Sequence, residues 1–91
     1  MTKNKIYTRQ GCRYSDRALQ LLDEKDIPYE EIDITDDPER QREMIEAAHG
    51  RTSSPQIFID GGHIGGFDDL QEADRQGRLA GMLAADMPSP T

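Results

Sequence analysis

The sequence predicts an α/β fold in which three or four helices flank a four-stranded mixed sheet. Its hydrophobic period switches between about two, which is typical of strands, and about 3.6, which is typical of helices. The predicted elements follow one another in the order β-α-β-α-β-β-α. The β-α-β unit requires a parallel pair of strands, and a tight turn makes the last two strands antiparallel, so the sheet must be mixed.

The first part of the chain contains the β-α-β unit. Lys5–Thr8 is predicted as a strand, and the helix after it runs over about Tyr14–Lys25. Ile27-Pro28 ends this helix because proline cannot continue it, and the alternation over Tyr29–Ile34 predicts the second strand. The apolar residues that recur at helical spacing are Ala18, Leu21 and Leu22.

Asp36-Asp37-Pro38 marks the start of the second helix. A carboxylate caps a helix, and proline is favoured in the first turn. Gly50 follows the last apolar position and is expected to end the helix. The residues that share one face of this helix are Gln41, Met44, Ile45 and Ala48.

The third strand is predicted over Gln56–Ile59, and Gly61-Gly62 is the predicted two-residue turn into a short strand at His63-Ile64. Asp68 or Asp69 is expected to cap the last helix, with a capping box to Glu72 if Asp69 is the cap. This order of elements resembles the thioredoxin-like fold. The apolar side of the last helix is expected to comprise Leu70, Ala73, Leu79, Met82 and Leu83.

Length and charge exclude several classes of function. The 91 residues are expected to form one domain, 1–91, with a modest core and a frayed tail at about 86–91. The 18 acidic and 11 basic side chains give a formal net charge of −7. Since no Lys/Arg-rich run compensates locally, neither nucleic acid nor an anionic membrane is an expected partner. Neither a membrane-spanning apolar run nor a signal-peptide pattern is recognised.

Cys12 is the only cysteine of the chain. It therefore excludes an intramolecular disulfide framework and favours a reducing compartment, by default the cytoplasm. Gly11–Ser15 is a strand-to-helix turn, where the positive end of the helix favours thiolate over thiol. A buried structural cysteine is the alternative, but the polar residues around Cys12 favour the reactive one.

Other polar residues have both a chemical and a structural interpretation. Ser15 could donate its hydroxyl to the sulfur or simply occupy the first helical turn. Arg9 and Arg13 are either carboxylate-binding groups or surface charges. Asp68 and Asp69 could bind an ammonium group in addition to capping a helix.

Tyr14 is expected to form the wall of a groove, and the two histidines are expected to lie apart. His49 and His63 are interpreted as surface or turn residues without a catalytic partner. No metal centre is predicted within one chain, because one cysteine cannot fill a site that usually needs four ligands.

The sequence resembles the glutaredoxins over roughly residues 4–84. A lone Cys-x-x-Ser would be weak support, whereas Pro-Gln-Ile-Phe-Ile followed by Gly-Gly-x-Asp-Asp-Leu is specific. The segments that carry the resemblance are, in order, Ile6–Arg9 with Gly11–Ser15, Gly50–Thr52, Ser54–Asp60 and Ile64–Leu70.

The resemblance implies a glutathione site around Cys12 as nucleophile, with Tyr14 flanking it. The peptide bond before Pro55 is expected to be cis, so that the backbone of Ser54 pairs with the cysteinyl part of glutathione. The glycine carboxylate is assigned to Arg9 and to Gln41, with Arg40 or Arg42 left open. The glutathione-binding residues implied in this way are Arg9, Arg13, Gln41, Arg42, Ser54, Pro55, Phe67, Asp68 and Asp69.

The sequence departs from the family pattern at several site positions, among them Arg13 in place of a usual proline and Arg9 in place of a usual lysine. Ser15 stands in place of a second, resolving cysteine, Ser54 in place of a usual valine, and Phe67 in place of a usual small residue. With Ser15 at the position of the resolving cysteine, the resemblance implies a monomeric, monothiol enzyme that uses glutathione as co-substrate and glutathionylated proteins as partners. The alternatives are a dimer that shares a labile [2Fe–2S] cluster and a catalytically silent adaptor.

Overall fold

The computed structural model describes residues 3–79, in which the predicted elements appear in the predicted order. Met82, Leu83 and the expected tail therefore lie outside the described residues. No helix within residues 3–79 is long and apolar enough to cross a membrane. The strands are β1 (Lys5–Thr8), β2 (Glu30–Asp33), β3 (Gln56–Ile59) and β4 (Gly62–Gly65), and the helices are α1 (Arg13–Glu24), α2 (Pro38–Ala47) and α3 (Phe67–Arg75).

The four strands form one mixed sheet in the order β2-β1-β3-β4. β1 runs parallel to β2, with Tyr7 opposite Ile32. β1 is antiparallel to β3, with Ile6 opposite Ile57, and β3 is antiparallel to β4. The predicted fold class, a mixed four-stranded sheet of the thioredoxin-like type, is confirmed, with three helices within residues 3–79.

Each face of the sheet carries its own hydrophobic cluster, because successive residues of a strand point to opposite faces. Ile6 of β1 packs with Leu22 of α1 and Leu70 of α3 on one face. Tyr7, the next residue, packs with Met44 of α2 and with Phe58 on the other face. Because α1 and α3 pack on one face and α2 packs on the other, the sheet fixes the positions of all three helices, including the amino end of α1.

The second helix begins as the sequence predicts. Asp37 is its N-cap, and the Asp37 carboxylate accepts the Arg40 backbone N–H at 3.1 Å, with Pro38 in the first helical position. The helix ends slightly earlier than expected, because the backbone is already left-handed at His49, with φ of 57°. The Gly50 N–H then donates to the Ile45 carbonyl at 2.8 Å and closes the last turn.

The turn between β3 and β4 corrects the predicted hairpin by one residue. Its two central residues are Asp60 and Gly61, with φ of 52° and 81°, whereas Gly62 belongs to β4 and pairs with Ile59. Two consecutive positive φ angles define a type I′ turn, for which Asp-Gly is a preferred pair. Gly61-Gly62 is the pair that the sequence favours because glycine adopts a positive φ most readily, but Asp60 takes the first of the two positions.

The start of α3 also differs from the prediction. Gly66 is the N-cap, and neither Asp68 nor Asp69 occupies that position. Asp69 is the third helical residue, and its carboxylate accepts the Gly66 backbone N–H at 3.0 Å. Since glycine has no side chain, only this half of a capping box forms. The predicted partner Glu72 instead lies in the exposed middle of the helix.

Candidate active site

Cys12 is the N-cap residue of α1 and is partly exposed. A tight turn holds it there, because the Cys12 backbone N–H donates to the Arg9 carbonyl at 3.2 Å. The Cys12 carbonyl in turn accepts the Asp16 backbone N–H, also at 3.2 Å, as the first bond of the helix. The sulfur therefore projects beside backbone N–H groups that have no partner within the helix.

The surroundings of the sulfur favour its thiolate form. The hydroxyl oxygen of Ser54 lies 3.7 Å from Cys12 Sγ, and the Ser54 carbonyl oxygen lies 3.8 Å away. Burial raises the pKa of the Cys12 thiol, but polar contacts outweigh this effect and hold the pKa below its ordinary value. These contacts come from the hydroxyl and backbone of Ser15, the Ser54 hydroxyl and the backbone of Tyr14.

Ser15 connects the first turn of α1 to the end of β1. Its side chain is almost fully buried, at 1% exposure. The Ser15 hydroxyl oxygen accepts the Arg9 backbone N–H at 3.3 Å. Because the same hydroxyl also lowers the pKa of the Cys12 thiol, Ser15 is part of the thiolate environment and not only a first-turn residue.

A groove of about 270 Å³ begins at Ser54 and runs along the start of α3. This volume is close to the lower end of the range for small-molecule sites, about 300–1,000 Å³. The rings of Tyr14 and Phe67 lie 6.4 Å apart along it, and Tyr14 is 54% exposed. The residues that line the groove are Tyr14, Arg51, Ser53, Ser54, Pro55, Gly66, Phe67, Asp68 and Asp69.

The end of the groove beside α3 carries charges of both signs. The guanidinium Nη1 of Arg51 lies 3.4 Å from Asp69 Oδ2, and both side chains are about half exposed. Asp68, the other acidic residue of the lining, is exposed. Backbone N–H groups at the start of a helix favour anions, so this end can contact both an ammonium and a carboxylate group.

The loop before β3 forms the other side of the groove. The Ser54–Pro55 peptide bond is cis, as expected. The fully buried Gln56 holds Ser53, the residue before Ser54, in place. Its Nε2 donates to the Ser53 carbonyl at 2.9 Å and to the Ser53 hydroxyl at 3.2 Å. The Gln56 Oε1 is 2.8 Å from His63 Nε2. The loop is thus fixed by a buried polar side chain.

Four of the implied glutathione-binding residues lie outside the lining of this groove. Arg9, Arg13 and Arg42 are exposed. Gln41 donates from Nε2 to the Ile34 carbonyl at 3.0 Å.

A hydrogen-bonded path nevertheless joins Gln41 to the Cys12 turn. Thr35 follows the Ile34 carbonyl that Gln41 contacts, and the Thr35 hydroxyl oxygen accepts the Gln10 backbone N–H at 2.7 Å. Arg9 and Gln41 therefore lie at the same end of the sheet as Cys12.

The two histidines are neighbours, which corrects the expectation that they are separated. Their ring centroids are 6.0 Å apart, and the His63 ring also lies 4.9 Å from that of Phe58. Burial lowers the pKa of His63, and the charges of Arg51 and His49 lower it further. Within residues 3–79, no group of three His, Cys, Asp or Glu side chains could hold a metal ion.

Three lining residues, Arg51, Ser53 and Gly66, were not among the predicted site residues. Arg51 belongs to a segment that carries the family resemblance, and Ser53 precedes a predicted site residue. A sequence signal for Arg51 existed, since it is a cation between a helix end and the Ser54-Pro55 loop. Its partner, however, is 18 residues away.

The glutaredoxin family model matches residues 4–64. Glutaredoxin 3 of Escherichia coli strain K12 is 43% identical over 83 residues, which cover 91% of this chain and 99% of that protein. Glutaredoxin 1 of Rickettsia prowazekii is 42% identical over 79 residues, which cover 86% and 83%.

Two solved structures extend these similarities to the fold. The solution structure of a glutaredoxin from Brucella melitensis aligns with a TM-score of 0.80 at 42% identity, over 98% of this chain and 96% of that one. The crystal structure of a buckwheat glutaredoxin–glutathione complex aligns with a TM-score of 0.80 at 28% identity, over 92% and 78%.

Proposed function

This chain belongs to the glutaredoxin family of thiol–disulfide oxidoreductases, and from that premise we propose that it reduces protein–glutathione mixed disulfides by a monothiol mechanism. One observation carries the proposal. The only cysteine of the chain, Cys12, caps α1 with a lowered pKa, and it contacts Ser54 at the start of a groove with charges of both signs. A thiolate beside a site for a charged, peptide-like thiol is what glutathione-dependent exchange requires.

The proposed cycle has two exchange steps. The Cys12 thiolate attacks the glutathione sulfur of the mixed disulfide, a Cys12–glutathione disulfide forms, and the protein thiolate leaves and takes up a proton. A second glutathione thiolate then attacks the bound glutathione sulfur, so that glutathione disulfide forms and the Cys12 thiolate is released. Such a ping-pong cycle needs one cysteine, and Ser15 at the position of a resolving cysteine does not interrupt it.

The groove supports a specific orientation of glutathione. Its cysteinyl part would lie along the backbone of Ser54, in the manner of an added strand. The γ-glutamyl end would reach the start of α3, where Asp68 and Asp69 meet its ammonium group and the helical N–H groups meet its carboxylate. The buckwheat glutaredoxin, a structural neighbour of this chain, forms a complex with glutathione.

The glycine carboxylate of glutathione would then lie at the opposite end, near Cys12. Arg9 and Gln41 are the proposed contacts, because both lie at the Cys12 end of the sheet. Arg13 and Arg42 are exposed cations that would add to the positive potential there. We further propose that the enzyme acts as a monomer on glutathionylated proteins, in the cytoplasm, where glutathione is kept reduced.

Turnover of a small glutathione mixed disulfide tests this function directly. Cys12→Ser should abolish turnover, because the chain has no other thiol. Ser15→Ala keeps the only thiol and should retain most of the activity, and Thr52→Val, which removes an exposed hydroxyl outside the groove lining, is the matched control. Wild-type protein without turnover under reducing conditions, or Cys12→Ser protein with unchanged turnover, would reject the proposal.

A shared [2Fe–2S] cluster is the second candidate function. The cluster is usually bound by four ligands, and one chain provides only one thiolate, so a single copy does not fit it. The observation in its favour is that Cys12 is partly exposed beside a proposed glutathione groove. Two copies with two glutathione thiols could then supply the four sulfurs.

A further inference from the structure

The side chain of Ser54 approaches the reacting sulfur directly. Its Oγ lies 3.7 Å from Cys12 Sγ, within the range of hydrogen bonds to sulfur, and the side chain is partly buried. The family resemblance assigns this position to a usual valine and gives it only a backbone role. The hydroxyl of this chain is therefore a group at the sulfur that the proposed cycle does not yet use.

Two groups of Ser54 face the sulfur, and each suits one protonation state of Cys12. The Ser54 carbonyl oxygen, at 3.8 Å, can only accept, so it suits the neutral thiol, whose S–H donates. The Ser54 hydroxyl can donate, so it suits the thiolate, which can only accept. Ionisation of Cys12 thus exchanges one partner on Ser54 for the other without movement of the loop.

The Ser54 hydroxyl is held near the sulfur by the loop around it. The fully buried Gln56 side chain fixes the Ser53 carbonyl and hydroxyl. On the other side, Pro55 is itself buried. A donor that is already in position stabilises a developing charge without reorganisation.

We propose that the Ser54 hydroxyl is a catalytic hydrogen-bond donor that stabilises the Cys12 thiolate, above all when this thiolate is the leaving group of the second exchange step. The inference rests on the proposed function. In that step a glutathione thiolate attacks the glutathione sulfur of the Cys12–glutathione disulfide. The disulfide bond to Cys12 breaks, glutathione disulfide forms, and the electron pair of the broken bond stays on Cys12 Sγ, where Ser54 donates its hydrogen bond.

The two exchange steps should respond differently to this donor. A thiolate with a lower pKa is a better leaving group, whereas its intrinsic nucleophilicity falls with a Brønsted coefficient of about 0.4–0.5. A larger thiolate fraction compensates for the weaker attack in the first step. In the second step a lower pKa of Cys12 only increases the rate at which Cys12 is released, so the rate of this step should depend most on Ser54.

Three substitutions at Ser54 separate the hydroxyl from the shape of the side chain. Ser54→Ala removes the hydroxyl, Ser54→Val introduces the usual family residue, and Ser54→Thr keeps a hydroxyl. The bond from the Ser54 hydroxyl to the thiolate is charge-assisted but long, at 3.7 Å, so we expect it to contribute about as much as a typical intramolecular hydrogen bond, on the order of 0.5–1.5 kcal/mol. At a pH below the pKa of Cys12, Ser54→Ala and Ser54→Val should therefore lower the thiolate fraction about two- to tenfold. Ultraviolet absorbance of the thiolate against pH measures this fraction without any turnover.

The expected pattern includes a rescue and a control. Ser54→Thr should restore most of the thiolate, and Thr52→Val, which removes an exposed hydroxyl outside the groove lining, should leave the titration unchanged. The second measurement is the single-turnover reduction, by glutathione, of enzyme that carries glutathione on Cys12. In this reaction Ser54→Ala and Ser54→Val should be slower than wild type and Ser54→Thr. Thermal unfolding of each variant identifies any that fails to fold, and the other hydroxyl-free variant then carries the test.

The outcomes distinguish this inference from the proposed function. Unchanged titrations of Cys12 in folded Ser54→Ala and Ser54→Val would overturn the inference, whatever their turnover. A slower reaction with an unchanged titration would also overturn it, since Ser54 would then act on glutathione and not on the sulfur. If the wild type showed no turnover but Ser54→Ala and Ser54→Val still altered the titration of Cys12, the proposed function would be rejected and the hydrogen bond supported.

Discussion

Arg51 and Asp69 form an ion pair at the end of the groove, with Nη1 and Oδ2 3.4 Å apart. Both side chains are about half exposed, and pairs of this kind contribute less than about 1 kcal/mol to stability. Asp69 also accepts the Gly66 backbone N–H, so the carboxylate joins a cation to the start of α3. We interpret the pair as a device that orients charges in the groove and not as a source of stability.

Arg51→Ala should therefore affect substrate binding more than folding. Among the described residues that line the groove, Arg51 is the only cation, so its removal would leave two carboxylates facing anionic glutathione. We expect the KM for a glutathione mixed disulfide to rise about three- to tenfold, the loss of roughly one hydrogen bond. The free energy of unfolding should change by less than about 1 kcal/mol.

Steady-state kinetics and urea unfolding measure the two quantities on the same protein. Arg75→Ala is the matched control, because it removes an exposed arginine that pairs with Glu72 on α3 outside the groove lining. A KM as low as that of wild type in Arg51→Ala would contradict the assigned role.

Gly65→Ala should disturb the same ion pair from the backbone side. A Cβ atom at Gly65 would overlap Asp69 Oδ2 and lie 3.0 Å from Arg51 Nη1, and the backbone φ there is 122°. Gly77→Ala is the matched control, since φ is 75° and no atom lies within 4 Å of its Cβ. Left-handed backbone costs a non-glycine residue roughly 1–2 kcal/mol, so both variants should lose stability.

Only Gly65→Ala should also raise KM, because it must displace Asp69. The measurements are again urea unfolding and turnover. Equal KM values for Gly65→Ala and Gly77→Ala would show that the position of Asp69 does not matter for binding.

Local signals in the sequence were sufficient for the elements and for the position of Cys12 at the start of α1. A carboxylate followed by proline defines the start of α2, and the polar, glycine-containing turn before α1 identifies Cys12 as a helix-terminal thiol. Both patterns depend on neighbours a few residues apart. The predicted hairpin was wrong by one residue because Asp60 tolerates the left-handed conformation that was reserved for glycine.

Contacts between distant residues were beyond these local patterns. Arg51 meets Asp69, and His49 meets His63, only because the loop after α2 returns along β4 and the start of α3. Likewise, Gly66 replaces an aspartate as the cap of α3, because Asp69 accepts the cap N–H from within the helix. Such placements depend on the path of the loops, which periodicity does not encode.

The ionisation of Cys12 should make folding stability depend on pH. Because its folded pKa lies below the ordinary value of about 8.5, the thiolate stabilises the folded state. This contribution is fully present above about pH 8.5 and is lost as the pH falls through the folded-state pKa.

Cys12→Ser cannot ionise in this range, so it provides the reference. The free energy of unfolding of wild type minus that of Cys12→Ser should increase as the pH rises through this window and then level off. Urea unfolding with a reductant present, at a series of pH values, measures the difference. A difference that does not vary with pH would mean that the folded and unfolded pKa values of Cys12 are equal.

The oligomeric state under anaerobic conditions separates the two candidate functions. Two copies that shared a [2Fe–2S] cluster would bring two Cys12 thiolates and two glutathiones together, with the exposed Arg13 beside each sulfur. Its positive charge would offset the anionic ligands, but its long side chain would also occupy the contact between the copies. We therefore expect the purified protein to be a colourless monomer that takes up at most a labile cluster on reconstitution with iron, sulfide and glutathione.

Sedimentation velocity with detection in the visible range decides between these outcomes, because it reports mass and colour together. Cys12→Ser and removal of glutathione are the two controls, since each deletes half of the sulfur ligands that the shared cluster would need. Colour that persists in both controls would come from a source other than the shared cluster, and the interpretation as a monomeric enzyme would stand. A stable coloured dimer that disappears in both controls would make cluster binding the primary function and exchange by Cys12 secondary, because a thiolate that ligates iron cannot attack a disulfide.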